Sequence, residues 1–307
     1  MKICDSDWTE LPFDVTKLQG ESILLKDRTR KYCTNSMYEI VANVHYLPNP
    51  FSFSKIIEFK PRYMIINKTH KTLQIIQAEC EEQGLFKAYP FETSNFHWTD
   101  GMKPQEINVK FDDHEYSGNI RIDGIGEINL RLRGSYDNDS IILNVSITEE
   151  RNSLYIIFND VSFAPPYRIE NLTKTSFKIS QVNCRTNDFD ILRPYQIIPY
   201  AWSYPREEKL LRISISSSSN EEELGRYTID QIKKSEKRIL HDKKSGREFL
   251  LENLNEKALK VVRISYTDEF TKNNLKSNLN DNPKVASQLT IRTQVVFKQL
   301  GISIVNS

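Results

Sequence analysis

Apolar and polar residues alternate with a period of two along most of this chain, the rhythm of strands with one buried and one wet face. Ile23-Leu24-Leu25, Tyr38-Glu39-Ile40-Val41-Ala42-Asn43-Val44 and Lys55-Ile56-Ile57-Glu58-Phe59 read as strands separated by polar turns. Leu73 to Gln77, Ile107 to Phe111, Ile141 to Ile147, Phe177 to Gln181, Leu210 to Ile215, Tyr227 to Ile232 and Leu259 to Ile264 follow the same pattern. Leu154-Tyr155-Ile156-Ile157-Phe158 is apolar throughout, which predicts burial on both faces. Almost no stretch carries a helical period, so the expected class is all-β, built of β-sandwich-like modules in tandem.

The modules repeat. Pro61-Arg62-Tyr63-Met64-Ile65-Ile66-Asn67-Lys68-Thr69 returns as Pro165-Pro166-Tyr167-Arg168-Ile169-Glu170-Asn171-Leu172-Thr173, 104 residues later. Gln77 and Gln181, and Trp98 and Trp202, obey the same spacing. Three matched features at one offset predict two copies of one unit. The expected organisation is the rear part of a unit at 1–60, complete units at 61–164 and 165–267, a polar linker at 268–282, and a strand at 283–307 leading into a further domain. Trp98 and Trp202 are expected to be core anchors, because an indole buries more apolar surface than any other side chain.

Asn67 and Asn171 stand where a strand gives way to a turn. Two roles fit them: a side-chain cap of the turn, or a buried polar clip that sets a surface used by a partner.

Composition narrows the function without fixing it. A net charge of +1 over 307 residues gives no pull towards nucleic acid. The first residues lack the apolar core of a secretory signal, and no run approaches the roughly 20 apolar residues of a membrane span. Cys4, Cys33, Cys80 and Cys184 are far apart with no nearby histidine at ligand spacing, which predicts reduced thiols, no metal site and a cytosolic setting. Asn67, Asn138, Asn144 and Asn171 sit in glycosylation-type triplets that this setting leaves unused. His114, beside Asp112, Asp113 and Glu115, reads as part of a solvated turn. Gly124-Ile125-Gly126 reads as a hairpin bend, and Ser216 to Glu223 as a flexible excursion. No catalytic residue and no cofactor site are expected.

One basic run stands out: Lys233, Lys234, Lys237, Arg238, Lys243, Lys244 and Arg247. It reads either as a solvated loop or helix or as a contact for anionic lipid headgroups.

Four motifs then fall in a telling order: the stretch from Pro165 to Asn171, Tyr200-Ala201-Trp202-Ser203-Tyr204-Pro205, Tyr227-Thr228-Ile229-Asp230 and Leu300-Gly301-Ile302-Ser303-Ile304-Val305-Asn306. Together they resemble the adaptor-binding domain of the vacuolar-protein-sorting-thirteen family of bridge-like lipid transfer proteins. The resemblance implies six β-rich repeats, of which this chain would hold the end of the fourth, the fifth and the sixth. It implies a non-catalytic module that recruits a lipid transfer protein to organelle membranes and contact sites (endosome, vacuole, mitochondrion), peripheral on their cytoplasmic side. The implied partners are Pro-x-Pro motif peptides of organelle-specific membrane adaptors. The resemblance carries Asn67 and Asn171 over as the repeat asparagines on which adaptor recognition depends. Ser203 follows Trp202 where the family often has aspartate. The competing readings are an anionic-lipid binder acting through 233–247 and a carbohydrate-active sandwich.

Overall fold

A computed structural model describes residues 8, 21–27, 36–80, 84–134, 140–185, 188–216, 222–229, 236–256 and 259–267. Within them the chain forms twenty-one strands in five sheets and no helix. β1 (Glu21–Asp27), β2 (Ser36–Tyr46) and β3 (Lys55–Pro61) make a three-stranded antiparallel sheet. Nine strands follow: β4 (Tyr63–Asn67), β5 (Leu73–Gln77), β6 (Phe86–Ala88), β7 (Thr93–Phe96), β8 (Glu106–Lys110), β9 (Ile120–Arg121), β10 (Gly126–Arg133), β11 (Ser140–Glu150) and β12 (Ser153–Asp160). Nine more repeat their succession: β13 (Tyr167–Asn171), β14 (Phe177–Gln181), β15 (Asp190–Leu192), β16 (Ile197–Tyr200), β17 (Leu210–Ile215), β18 (Glu222–Thr228), β19 (Glu236–His241), β20 (Glu248–Glu256) and β21 (Leu259–Tyr266).

The two nine-strand sets have the same topology. The first forms a five-stranded sheet β10-β11-β12-β4-β7 over a four-stranded sheet β6-β5-β8-β9. The second forms β19-β20-β21-β13-β16 over β15-β14-β17-β18. In each set the first strand lies parallel to the last, Ile65 opposite Ile156 and Ile169 opposite Val262. Carried through the ladders, this register makes Ile147 equivalent to Asn253 and Gly126 to Glu236, and hence Leu130 to Leu240 and Arg131 to His241.

Alternation explains the cores. Tyr63, Ile65 and Asn67 are buried while Met64 and Ile66 are half-buried. Ile65, Ile156 and Phe158 meet Leu73, Ile75, Ile107 and Val109 of the facing sheet in one cluster, and Ile169, Val262 and Ile264 meet Phe177, Ile179, Leu211 and Ile213 in the other. β12 departs from the sequence expectation: Tyr155 and Ile157 on its outer face are only half-buried. Its apolar character reflects a central position between β11 and β4, with no second layer outside among the described residues. The segment read as an excursion is partly a strand as well, since β18 starts at Glu222.

Each seam is made by a tryptophan segment. Trp98 exchanges both backbone hydrogen bonds with Met37 of β2, at 3.0 and 3.1 Å. The Trp202 carbonyl instead accepts from Arg131 N–H of β10 at 3.2 Å, in a parallel bridge, and Gly118 N–H donates to the Ser203 carbonyl at 2.9 Å. A Cβ on Gly118 would lie 2.8 Å from the Tyr204 backbone, so this approach requires glycine. The second seam also encloses an ion pair. Arg131 grips Asp190 through both guanidinium ends, and Arg133 adds Nη2 to Asp190 at 3.0 Å and Nη1 to Asp188 at 3.1 Å.

Burial alone pushes the Asp190 carboxyl up, but the two arginines more than offset it and hold it below the ordinary carboxylate value. A depressed folded pKa contributes stability that is present above the unfolded value near 3.8 and is lost as pH falls through the folded one. Urea midpoints should therefore drop as pH falls below about 4, and Asp190→Asn should flatten that drop. At neutral pH the same substitution should cost about 3–5 kcal/mol, because it strands a buried guanidinium. Phe158→Ala, which empties a fully buried site, should cost about 3–5 kcal/mol in the same measurement.

Candidate interaction sites

Asn67 and Asn171 are completely buried, and each side chain is a clip between the two sheets of its sandwich. Asn67 Nδ2 donates to the carbonyls of Lys71 at 2.8 Å and Ala88 at 2.9 Å, the latter on β6 of the facing sheet. Its Oδ1 accepts from Thr69 N–H at 2.9 Å and Thr69 Oγ1 at 2.7 Å. Asn171 repeats this set on Thr175, Leu192, Arg193 and Thr173. Asparagine suits the place because one short side chain offers two donors and an acceptor with two lone pairs, and here all are engaged inside the protein. Neither carboxamide is left to touch a guest. Their burial also leaves no room for a glycan.

Gln77 and Gln181 form a second repeated clip. Gln77 Nε2 donates to the carbonyls of Asp100 at 2.7 Å and Pro104 at 3.1 Å, while Oε1 accepts from Asp100 N–H at 2.9 Å. Gln181 holds Tyr204 and Glu208 alike. Each glutamine thus fixes the loop that follows the tryptophan, and with it the seam. Trp98 and Trp202 lie buried beside Tyr63 with Phe96, and Tyr167 with Tyr200.

Between the two sandwiches a cavity of about 240 Å³ is lined by Ile120, Ile128, Pro166, Tyr167, Trp202 and Pro205 among others. A more polar neighbour of about 340 Å³ includes Asn108, Tyr204 and Arg206. At the first seam an apolar cavity of about 370 Å³ is lined by Tyr38, Phe59, Phe96 and His97, with the Tyr38 and His97 rings stacked at 4.6 Å.

From Lys237 to Arg247 the basic run is a strand and a turn, not a helix. Lys237 and Arg238 lie exposed on β19, with Lys237 paired to Glu252 at 2.7 Å and Arg238 over the Tyr227 ring. Lys243 and Lys244 occupy the turn that the Asp242 carboxylate caps, with Arg247 just beyond. Lys233 and Lys234 lie outside the described residues. β19 is the terminal strand of its sheet, and among the described residues nothing pairs with its outer margin. Asp242 N–H bonds inward to the Arg247 carbonyl, so alternation turns the backbone groups of Lys237, Ile239 and His241 outward.

His114 differs from the solvated-turn expectation. It is buried against Phe111, with Nδ1 2.7 Å from Asp113 Oδ1. Lys71 first and His114 second hold the Asp113 carboxyl down to about 2. No group of three metal-binding side chains occurs among the described residues. Cys80 and Cys184 are half-buried and neither is in a disulfide, while Cys4 and Cys33 lie outside the described residues.

Sequence reading missed a third repeated device. The turns Tyr89-Pro90-Phe91-Glu92 and Arg193-Pro194-Tyr195-Gln196 each close with a 3.2 Å bond from fourth N–H to first carbonyl. Their third residues, Phe91 and Tyr195, have φ of 60° and 58°, a left-handed conformation that such turns normally give to glycine or asparagine. Both rings are exposed, at 62% and 61%. The offset of 104 already relates Pro90 to Pro194 and Phe91 to Tyr195, and would have found them.

Asn171→Ala should cost about 2–4 kcal/mol in urea unfolding, since it orphans two buried donors on Thr173 and three carbonyls.

Three curated relatives from Dictyostelium discoideum are similar to this chain. "Intermembrane lipid transfer protein vps13D" is 28% identical over 193 residues, covering 60% of this chain and 4% of the relative. "Intermembrane lipid transfer protein vps13B" is 26% identical over 183 residues, 54% of this chain and 3% of the relative. "Intermembrane lipid transfer protein vps13E" is 21% identical over 252 residues, 76% and 6%. The chain therefore spans only a small part of the length of the relatives it matches. The clips, the paired sandwiches and the sequence motifs agree with a family match over residues 1–209, and the chain belongs to the family described as Vacuolar-sorting associated protein 13, adaptor binding domain.

Proposed function

We propose that this chain is a non-catalytic module that captures Pro-x-Pro peptides of membrane adaptors by strand addition, and so recruits a bridge-like lipid transfer protein to organelle membranes and contact sites. The supporting observation is the β19 margin. It is equivalent in register to the margin of β10, on which the chain's own Trp202 segment docks through the Arg131 N–H. The fold thus contains an example of an aromatic segment bonded to this edge, through the single bridge between Trp202 and Leu130.

The spacing of the prolines in such a guest has a physical reason. In a strand, successive residues turn their backbone groups to opposite edges and their side chains to opposite faces. The residue between two prolines can therefore exchange bonds with Ile239 while both prolines, which lack N–H, face away from the edge and present their rings to one face. Backbone bonds contribute about 0.5–1.5 kcal/mol each, so four give roughly 2–6 kcal/mol, short of the roughly 8 kcal/mol of micromolar binding. Apolar contact of the proline rings with the module supplies the remainder, at little entropic cost because proline is already restricted. Asn67 and Asn171 take part as positioning residues that hold their turns.

The units 61–164 and 165–267 are the repeats of this reading, with 1–60 the rear of another; the linker expected at 268–282 and the strand expected at 283–307 lie outside the described residues. A second reading rests on the exposed cations of β19 and its turn, Lys237, Arg238, Lys243, Lys244 and Arg247, with Lys233 and Lys234 before them, as contacts for anionic lipid headgroups. Charge reversal at Lys243, Lys244 and Arg247 that leaves vesicle flotation intact removes it.

Calorimetric titration with a Pro-x-Pro peptide tests the first reading. Ile239→Pro deletes an outward donor without touching the β20 ladder, so it should keep the fold and weaken binding at least about tenfold. Equal affinity for wild type and Ile239→Pro places the guest elsewhere and refutes addition at β19.

A further inference from the structure

We infer that the two proline-aromatic turns, carrying Phe91 and Tyr195, are contacts for a membrane–water interface containing anionic lipid. This does not rest on the peptide reading, because β16, next to the Tyr195 turn, lies at the opposite edge of the sheet from β19.

Four observations carry it. The first is conformation: a bulky ring at positive φ is an outlier wherever it occurs, and here it occurs twice at one place in the fold. A turn of this shape would form more readily with glycine, so the ring is kept for something other than the turn. The second is rigidity. The Phe91 N–H donates to the Asn67 carbonyl at 2.7 Å, and the Asn171 N–H donates to the Gln196 carbonyl at 2.9 Å, so each turn is tied to the residue whose side chain clips the two sheets together.

The third is company. Tyr89 stands two residues before Phe91, and Leu172, Ile197 and Tyr266 stand about Tyr195, all exposed between 44% and 56%. Asn171 pairs with Gln196 and the Lys174 N–H donates to the Tyr266 hydroxyl, which brings these side chains to one end of the sheet. Lys68 and His70 flank the first turn, His70 edge-on to Phe91 at 4.9 Å, and Lys174 and Arg193 flank the second. Aromatic rings with cations beside them are what the headgroup region accommodates: the ring enters the boundary while the charge stays with the phosphates. The fourth is shape. The rings project from turn apices and line none of the seam cavities, so they suit a soft, flat surface better than a peptide, which needs a groove.

The test is flotation of the 307-residue chain with phosphatidylcholine vesicles, with and without phosphatidylserine, for wild type and for Phe91→Gly/Tyr195→Gly. Glycine fits the left-handed turn, so the double variant should fold with an unchanged or raised Tm. The expected result is serine-lipid-dependent flotation of wild type that falls about tenfold in the variant, with Pro-x-Pro affinity unchanged. Three outcomes overturn the inference: wild type that does not float with either vesicle, a variant that floats as well as wild type, or a variant whose loss appears in peptide affinity instead of flotation. A further variant, Phe51→Ser/Phe53→Ser, changes the exposed tip between β2 and β3; if flotation depends on that tip and not on the turns, the turns are not the contact.

Discussion

A carboxamide sealed from water has to find a partner for every donor and acceptor, and in this fold that obligation is what joins the layers. Each sandwich sends its chain from one sheet to the other twice within its first four strands, at the turns after β4 and β6 in one and β13 and β15 in the other. The asparagine on the first strand binds carbonyls on both sides of those crossings, and the glutamine on the second strand binds the loop after the tryptophan. Two amides thus set where the sheets meet and where the next seam begins. Apolar packing supplies most of the energy but is tolerant of small shifts, whereas four simultaneous hydrogen bonds from one short side chain are not.

The same economy shows in the strained aromatic turns. A residue held at positive φ costs on the order of 1–3 kcal/mol unless it is glycine. The clip can impose that cost because losing its own bonds would cost at least as much. Strain and clip sit one hydrogen bond apart, so the clip explains how the conformation is tolerated.

Much of this was legible in the sequence. Period-two alternation located β1 to β5, β8, β11 to β14, β17, the end of β18 and β21, but not the short strands β6, β7, β9, β15 and β16 nor the longer β10, β19 and β20, and the common offset tied Asn67 to Asn171, Gln77 to Gln181 and Trp98 to Trp202. What the sequence left open was which of two roles the asparagine fills, because a capped turn and a buried inter-sheet clip ask for the same residue. The Arg131 and Asp190 pair was invisible for a different reason: it joins different sandwiches, and its partners meet only once the seam forms. His114 was misread because acids beside a histidine look like a wet turn until the neighbouring Phe111 is placed over it. Phe91 and Tyr195 escaped notice because left-handed backbone is not expected of an aromatic residue.

Of the two equivalent sheet margins one is covered, and the other has no strand paired to it among the described residues. On β10 the Trp202 segment covers the edge, Arg131 is buried against Asp190, and Ile128 is half-buried. At the matching places β19 has His241, exposed and 3.3 Å from Glu248, and Arg238, also exposed. Charged side chains on an uncovered edge keep identical sheets from pairing with it, since two such edges repel. Coverage and charge are therefore alternative solutions to one problem, unpaired backbone at the end of a sheet.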